Sequence, residues 1–129
     1  MSQRRWSPVE LGREFPTPVG AYSPVVRAGE LLFVSGQVPT DPATGKVVGS
    51  NVAEQTRFVL EKLGRTLNAA GSSLNDVVSV TVYLEDINRW DEFNAAYRAM
   101  FDPPYPTRTT VGAKLHGVLV EVSAIAVVR

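Results

Sequence analysis

Residues 118–128 read VLVEVSAIAVV, a nearly continuous apolar run broken by one carboxylate, Glu121, and by Ser123. A run this short and this rich in β-branched residues predicts a strand, and it falls well short of the ~20 residues that a membrane-crossing helix needs. Such a strand needs cover on both faces of its sheet.

Asp76–Leu84 alternates Val78, Val80, Val82 and Leu84 with Ser79, Thr81 and Tyr83, the period-two signature of a further strand. ELLFVSG, ending at Gly36, predicts a buried strand, with Val25–Arg27 pairing back on it across Ala28 and Gly29. Thr107–Ala113 predicts another, joined to Val118–Val128 through a short turn at His116 and Gly117. DPATG, from Asp41 to Gly45, is a turn. Asn51 opens a first helix with Glu54 placed to return a capping bond, and Gly71 ends it. Its stripe is Val52, Val59, Leu60, Leu63, Leu67 and Ala70, while Arg57, Glu61 and Arg65 face water. A second helix begins near Asp86 or Asn88, carries Trp90, Phe93, Tyr97 and Met100 on one stripe, and stops before Pro103 and Pro104. Pro8, Pro16, Pro18 and Pro24, with Gly12 and Gly20, make the first 24 residues an extended, looping region, of which 1–19 form an N-terminal arm.

The order is β-β-α-β-α-β-β in one domain spanning 1–129, and its simplest packing is a two-layer α+β sandwich. Two helices cover one face of the sheet. The other face is too apolar for water, so a second subunit is expected to cover it.

Several chemistries are excluded early. The chain has no cysteine, which removes disulfides, thiolate metal sites and thiol nucleophiles, and its one histidine, His116, sits in a polar turn as an exposed residue. No metal is expected. Thirteen basic against thirteen acidic residues give no net charge to attract nucleic acid. The basic pair Arg4 and Arg5 is followed by polar, Pro-containing sequence instead of the apolar core of a signal peptide, so a cytoplasmic protein with no membrane partner is expected. GxGxxG, GxxxxGK[ST] and GxSxG are all missing, which leaves dinucleotide, P-loop and α/β-hydrolase chemistry without support.

Glu121 shares its strand face with Leu119, Ser123 and Ile125. A carboxylate there either points into solvent on an edge strand or has a partner and a task. Arg108 follows Pro104, Tyr105 and Pro106, and its planar fork suits a carboxylate, either Glu121 itself or that of a ligand. If a four-residue turn joins the last two strands, Arg108, Thr110 and Glu121 share one face; a turn of odd length would separate them. Tyr22 and Ser23 in GAYSP, and Ser35, Gly36 and Gln37 in SGQ, combine polar side chains with glycine-permitted backbone approach.

Together GAYSP, LLFVSGQVP, DPATG, Glu54–Thr56, NAAYRAMF, PTRTTVG and VEVSAIAV closely resemble the YjgF/Rid family of enamine and imine deaminases, from about Gly20 to the C-terminus. The resemblance implies a chorismate-mutase-like α+β fold and a homotrimer with ligand clefts between subunits. It implies hydrolysis of 2-aminoacrylate or 2-iminopropionate to a 2-keto acid and ammonia, without cofactor, in the service of metabolite damage control. Carried over, Arg108 holds the substrate carboxylate and Glu121 positions water or moves a proton. Tyr22, Ser35, Gly36, Asn94 and Thr110 border the substrate. Departures are Ala21 for a common Pro, Pro24 for Gln or Arg, Thr110 for the Cys of some members, and KLHG in a turn that shortens the Arg-to-Glu spacing by two. Competing readings are a noncatalytic trimer that binds 2-keto acids, a deaminase of a pathway intermediate such as 2-aminomuconate, and a ribonuclease. The neutral charge and the lack of a His pair argue against the last.

Overall fold

The structure, a computed structural model, describes residues 3–129. Six strands form one sheet: β1 (Trp6–Pro8), β2 (Val25–Ala28), β3 (Leu31–Gln37), β4 (Val77–Leu84), β5 (Thr107–Gly112) and β6 (Val120–Val127). Their order across the sheet is β1-β2-β3-β6-β4-β5. Helices α1 (Val52–Ala69) and α2 (Trp90–Arg98) pack on each other and on one face of the sheet. This is the expected two-layer α+β architecture. No helix among the described residues is long and apolar enough to cross a membrane.

Local chemistry accounts for the helix ends. Asn51 Oδ1 accepts a hydrogen bond from Glu54 N at 2.8 Å, as its sequence position predicts. Glu54 does not return it to Asn51: its Oε1 accepts from Ser50 N and Oγ, and the backbone bond first holds its carboxyl below the usual range. At the other end Gly71 adopts φ 86°, while Ser72 N donates to Leu67 O and Gly71 N to Asn68 O, closing the last turn. Val59, Leu60, Leu63 and Leu67 of α1 are fully buried against Leu32 and Val34 of β3 and the even-numbered residues of β6. The 41–45 turn forms as its chemistry predicts, with Gly45 N donating to Asp41 O.

Four expectations need correction. First, the proline-rich N-terminal segment is not wholly irregular, since Trp6–Pro8 pairs antiparallel with β2 as an edge strand. Second, β4 is bulged: Val77 takes the buried position opposite Ala126 and Val78 is turned outward, 43% exposed. Third, Trp90 of the predicted apolar stripe is 39% exposed, whereas Phe93 and Tyr97 are buried.

The fourth correction bears directly on the site. β5 and β6 do not form a hairpin; they lie on either side of β4, β5 parallel to it and β6 antiparallel. The cause is the strand–helix–strand unit, in which α2 carries the chain back over the sheet so that β5 runs in the same direction as β4. β6, apolar on both faces, then takes the more buried place between β3 and β4. Gly112 and Val120 both pair with Leu84, so residues 113–119, an odd number, join them. Arg108 pairs with Val80 and Thr110 with Val82 on the helix side, whereas Glu121 pairs with Tyr83, whose side chain points to the opposite face. The expected shared face is therefore wrong: the sheet lies between Glu121 and the pair Arg108 and Thr110.

Candidate active site

Where β3 reaches the SGQ motif its pairing with β6 slips. Val34 faces Ala124 and Gln37 faces Val122, so three steps on β3 match two on β6 and an extra residue is taken up at Ser35–Gly36. The bulge sets the Gly36 backbone against the Glu121 side chain. A Cβ at Gly36 would stand 3.0 Å from Glu121 Cδ and 3.3 Å from Cγ, and would collide with Oε2. Gly36 has no positive φ, so what it contributes is room for the carboxylate and not a special backbone conformation.

Ser35 binds the preceding motif to this bulge. Its Oγ donates to Ser23 O at 2.6 Å, and its backbone N–H donates to Pro24 O at 2.9 Å. The donated hydroxyl retains lone pairs to accept from a ligand. Tyr22 folds back on Gly20 but stays 56% exposed. Tyr22, Ser35 and Gly36 line a cavity of about 670 Å³, walled by Phe15, Pro16 and Pro18 of the arm and by α1. Lys62, also in the wall, donates to Val38 O, Thr40 O and Thr40 Oγ1 at 3.0–3.1 Å, and partial burial lowers its pKa below the ordinary lysine range. Nothing in its helical position marked Lys62 as part of this wall.

A second cluster lies on the helix side of the sheet at edge strand β5. The Arg108 guanidinium carbon sits 4.6 Å from the Tyr97 ring centroid, 5.3 Å from Phe93 and 5.4 Å from Trp90. The ion pairs among the described residues are Arg89–Asp86 and Arg129–Asp76, so no carboxylate engages Arg108. Tyr97 is 3% exposed and its hydroxyl has no hydrogen-bond partner. Burial pushes the phenol up to about 12, against the pull of the nearby Arg108 charge, so Tyr97 is neutral at ordinary pH. Thr110 Oγ1, enclosed on the same face as Arg108, also lacks a partner. Asn94, half-buried, follows Trp90 by one turn of α2.

The site residues expected from the sequence thus fall into two groups within the chain. Ser35, Gly36 and Glu121 come together at the bulge, with Tyr22 lining the same cavity as Ser35 and Gly36; Arg108, Thr110 and Asn94 belong to the β5–α2 side. The aromatic surround of Arg108 was legible only as an apolar helix stripe, because its spacing does not say what it packs on. His116 is an exposed turn residue, as expected. The described residues contain no group of three or more His, Asp or Glu side chains arranged to hold a metal ion.

The sequence profile described as Endoribonuclease L-PSP matches residues 12–128. This chain belongs to the YjgF/RutC family. A RutC family protein of Pyrococcus horikoshii is 45% identical over 113 residues, 86% of this chain and 90% of that one. The 2-iminobutanoate/2-iminopropanoate deaminase of Rattus norvegicus is 40% identical over 114 residues, 87% of this chain and 83% of the rat protein. Among solved structures, E. coli TdcF with bound serine matches with a TM-score of 0.83 at 34% identity, covering 95% of this chain and 99% of TdcF.

Proposed function

We propose that this chain hydrolyses small 2-enamine and 2-imino acids, of the 2-aminoacrylate and 2-iminopropionate type, to 2-keto acids and ammonia. The observation that carries the reading is Arg108, a partly buried cation with a planar donor fork, no carboxylate partner, and an enclosed neutral phenol beside it. An anionic ligand supplies the missing counter-charge. The deaminase name of the rat relative supports the same chemistry.

Glu121 and Arg108 can share one substrate only if they come from different copies, since the sheet separates them within a chain. A homotrimer with clefts between subunits meets that requirement. The sheet face away from the helices exposes Leu31, Phe33 and Val111 at 36–39%, an apolar surface suited to burial against another copy.

In such a cleft Arg108 holds the substrate carboxylate and fixes the position of C2. A water beside Glu121 adds its oxygen to C2 while its proton passes through Glu121 to the imine nitrogen. The resulting carbinolamine gives its hydroxyl proton, again through Glu121, to the amine. The C–N bond breaks, ammonia leaves, and the carbonyl oxygen is the one that came from water. An enamine first takes a proton from water at C3 and returns one from its nitrogen to water, becoming the imine. Tyr22, Ser35, Gly36, Asn94 and Thr110 border the substrate.

The test generates the imine in situ from an amino acid with an amino-acid oxidase and follows its loss by semicarbazide trapping. The chain accelerates imine loss and ammonia release, and Glu121→Gln lowers turnover more than it weakens binding of 2-oxobutyrate. Binding of 2-oxobutyrate with no turnover would instead establish a ligand-binding trimer.

A further inference from the structure

Arg108 is held by rings in place of an acid. Its guanidinium carbon lies within the ~6 Å at which aromatic faces attract a cation, over three rings of one helix. Glu92, on the first turn of α2, is committed elsewhere: its Oε2 accepts from Ala53 N at 3.0 Å and caps α1. Rings attract the charge without occupying the in-plane N–H groups. The fork therefore stays available for a carboxylate, which an internal acid would have had to surrender.

The three rings differ in what else they do. Phe93 is wholly buried and Tyr97 is 3% exposed, and both belong to the hydrophobic core. Trp90, the first residue of α2, is 39% exposed and lies outside that core. Of the three rings it is the one that reaches solvent. A ligand cannot approach from the core side, and among the rings only the indole stands at the solvent side.

We propose that Trp90 is a positioning residue of the substrate-carboxylate site: its indole holds the Arg108 guanidinium at the cleft mouth and forms the wall along which a small 2-imino or 2-keto acid enters. This rests on the reading that Arg108 receives that carboxylate. The role calls for an aromatic face and not for bulk, so phenylalanine is expected to replace tryptophan where leucine does not.

The experiment uses the whole chain. The sequence has two tryptophans, so Trp6→Phe leaves Trp90 as the sole indole. Titrating that variant with 2-oxobutyrate changes Trp90 emission with the saturation seen by calorimetry. Trp90→Leu raises the Kd for 2-oxobutyrate and the KM for the imine about tenfold while kcat stays within about twofold, and Trp90→Phe recovers most of the loss. Unchanged melting temperatures show that the helix is intact. Emission indifferent to saturating 2-oxobutyrate, Trp90→Leu constants within about twofold of the parent, or a phenylalanine no better than leucine overturns the role of Trp90. Arg108→Ala in the same assays separates this from the underlying reading. Loss of binding in Arg108→Ala with an unaffected Trp90→Leu removes the tryptophan alone, whereas an Arg108→Ala protein that binds and turns over normally removes the site and this inference with it.

Discussion

Gly36→Ala tests whether the position of the Glu121 carboxylate matters, because the new methyl displaces that carboxylate without straining the backbone. Gly36 has no positive φ, so alanine meets no backbone strain, and loss of glycine's freedom in the unfolded chain favours folding by roughly 0.4–1 kcal/mol. The new methyl, however, would stand 3.0 Å from Glu121 Cδ and overlap Oε2. Ordinary contact between such carbons is ~3.5–4.0 Å, so the carboxylate must withdraw by roughly 1 Å. It sits at the end of a flexible side chain, and the withdrawal costs little stability. A displacement of that size in a proton-transferring group is worth up to about a hundredfold in rate. The assay compares kcat for an imine generated in situ, the Kd for 2-oxobutyrate, and the melting temperature, on one preparation. The expected result is a protein as stable as the parent, with kcat lower by about ten- to a hundredfold and a Kd that rises by far less than kcat falls, since Arg108 is untouched. Full kcat would refute the assignment of Glu121 to proton or water handling. A large fall in melting temperature would show that the Gly36–Glu121 contact is structural.

Arg108→Ala should abolish measurable deamination while lowering stability by only about 1 kcal/mol, the scale of its ring contacts, a few degrees in Tm. Because Glu121 is on the other face, the penalty of about 3–5 kcal/mol for a broken buried pair does not arise; a loss that large in urea denaturation would contradict the structure. Arg108→Lys should rescue poorly for want of the planar fork. Light scattering should report a trimer, and a stable species near 14.0 kDa at micromolar concentration would defeat the shared-cleft proposal. Asp76 is held below the usual carboxylate range first by Ser73 Oγ and then by Arg129, both at 2.7 Å from Oδ2. A lowered native pKa stabilises the fold above the unfolded value of about 3.9, and that contribution vanishes as pH falls through the native value. The melting-temperature gap between the parent and Ser73→Ala should thus be constant near neutrality and close in acid; a gap that widens in acid would reverse the argument.

Much of the protein follows from short-range patterns in the chain. The ends of α1 were legible because Asn51 and Gly71 act through hydrogen bonds and a positive φ within a few residues of themselves. The β2–β3 hairpin, the 41–45 turn and the residues that share a strand face with Glu121 were legible for the same reason, and the family motifs marked the candidate site residues. The neighbour of β5 was not. A strand's own period says which residues share a face but not which strand it pairs with, and here the helix between β4 and β5 favoured a parallel partner over the hairpin. That choice, together with the odd-length connection, put Arg108 and Glu121 on opposite faces of the sheet. The Val78 bulge, the β1 pairing and the rings around Arg108 likewise depend on contacts between segments far apart in sequence. One chain carries both candidate groups, Arg108 and Glu121, and only the tertiary structure decides that they cannot meet within it, because a sheet's two faces are separated by its own backbone.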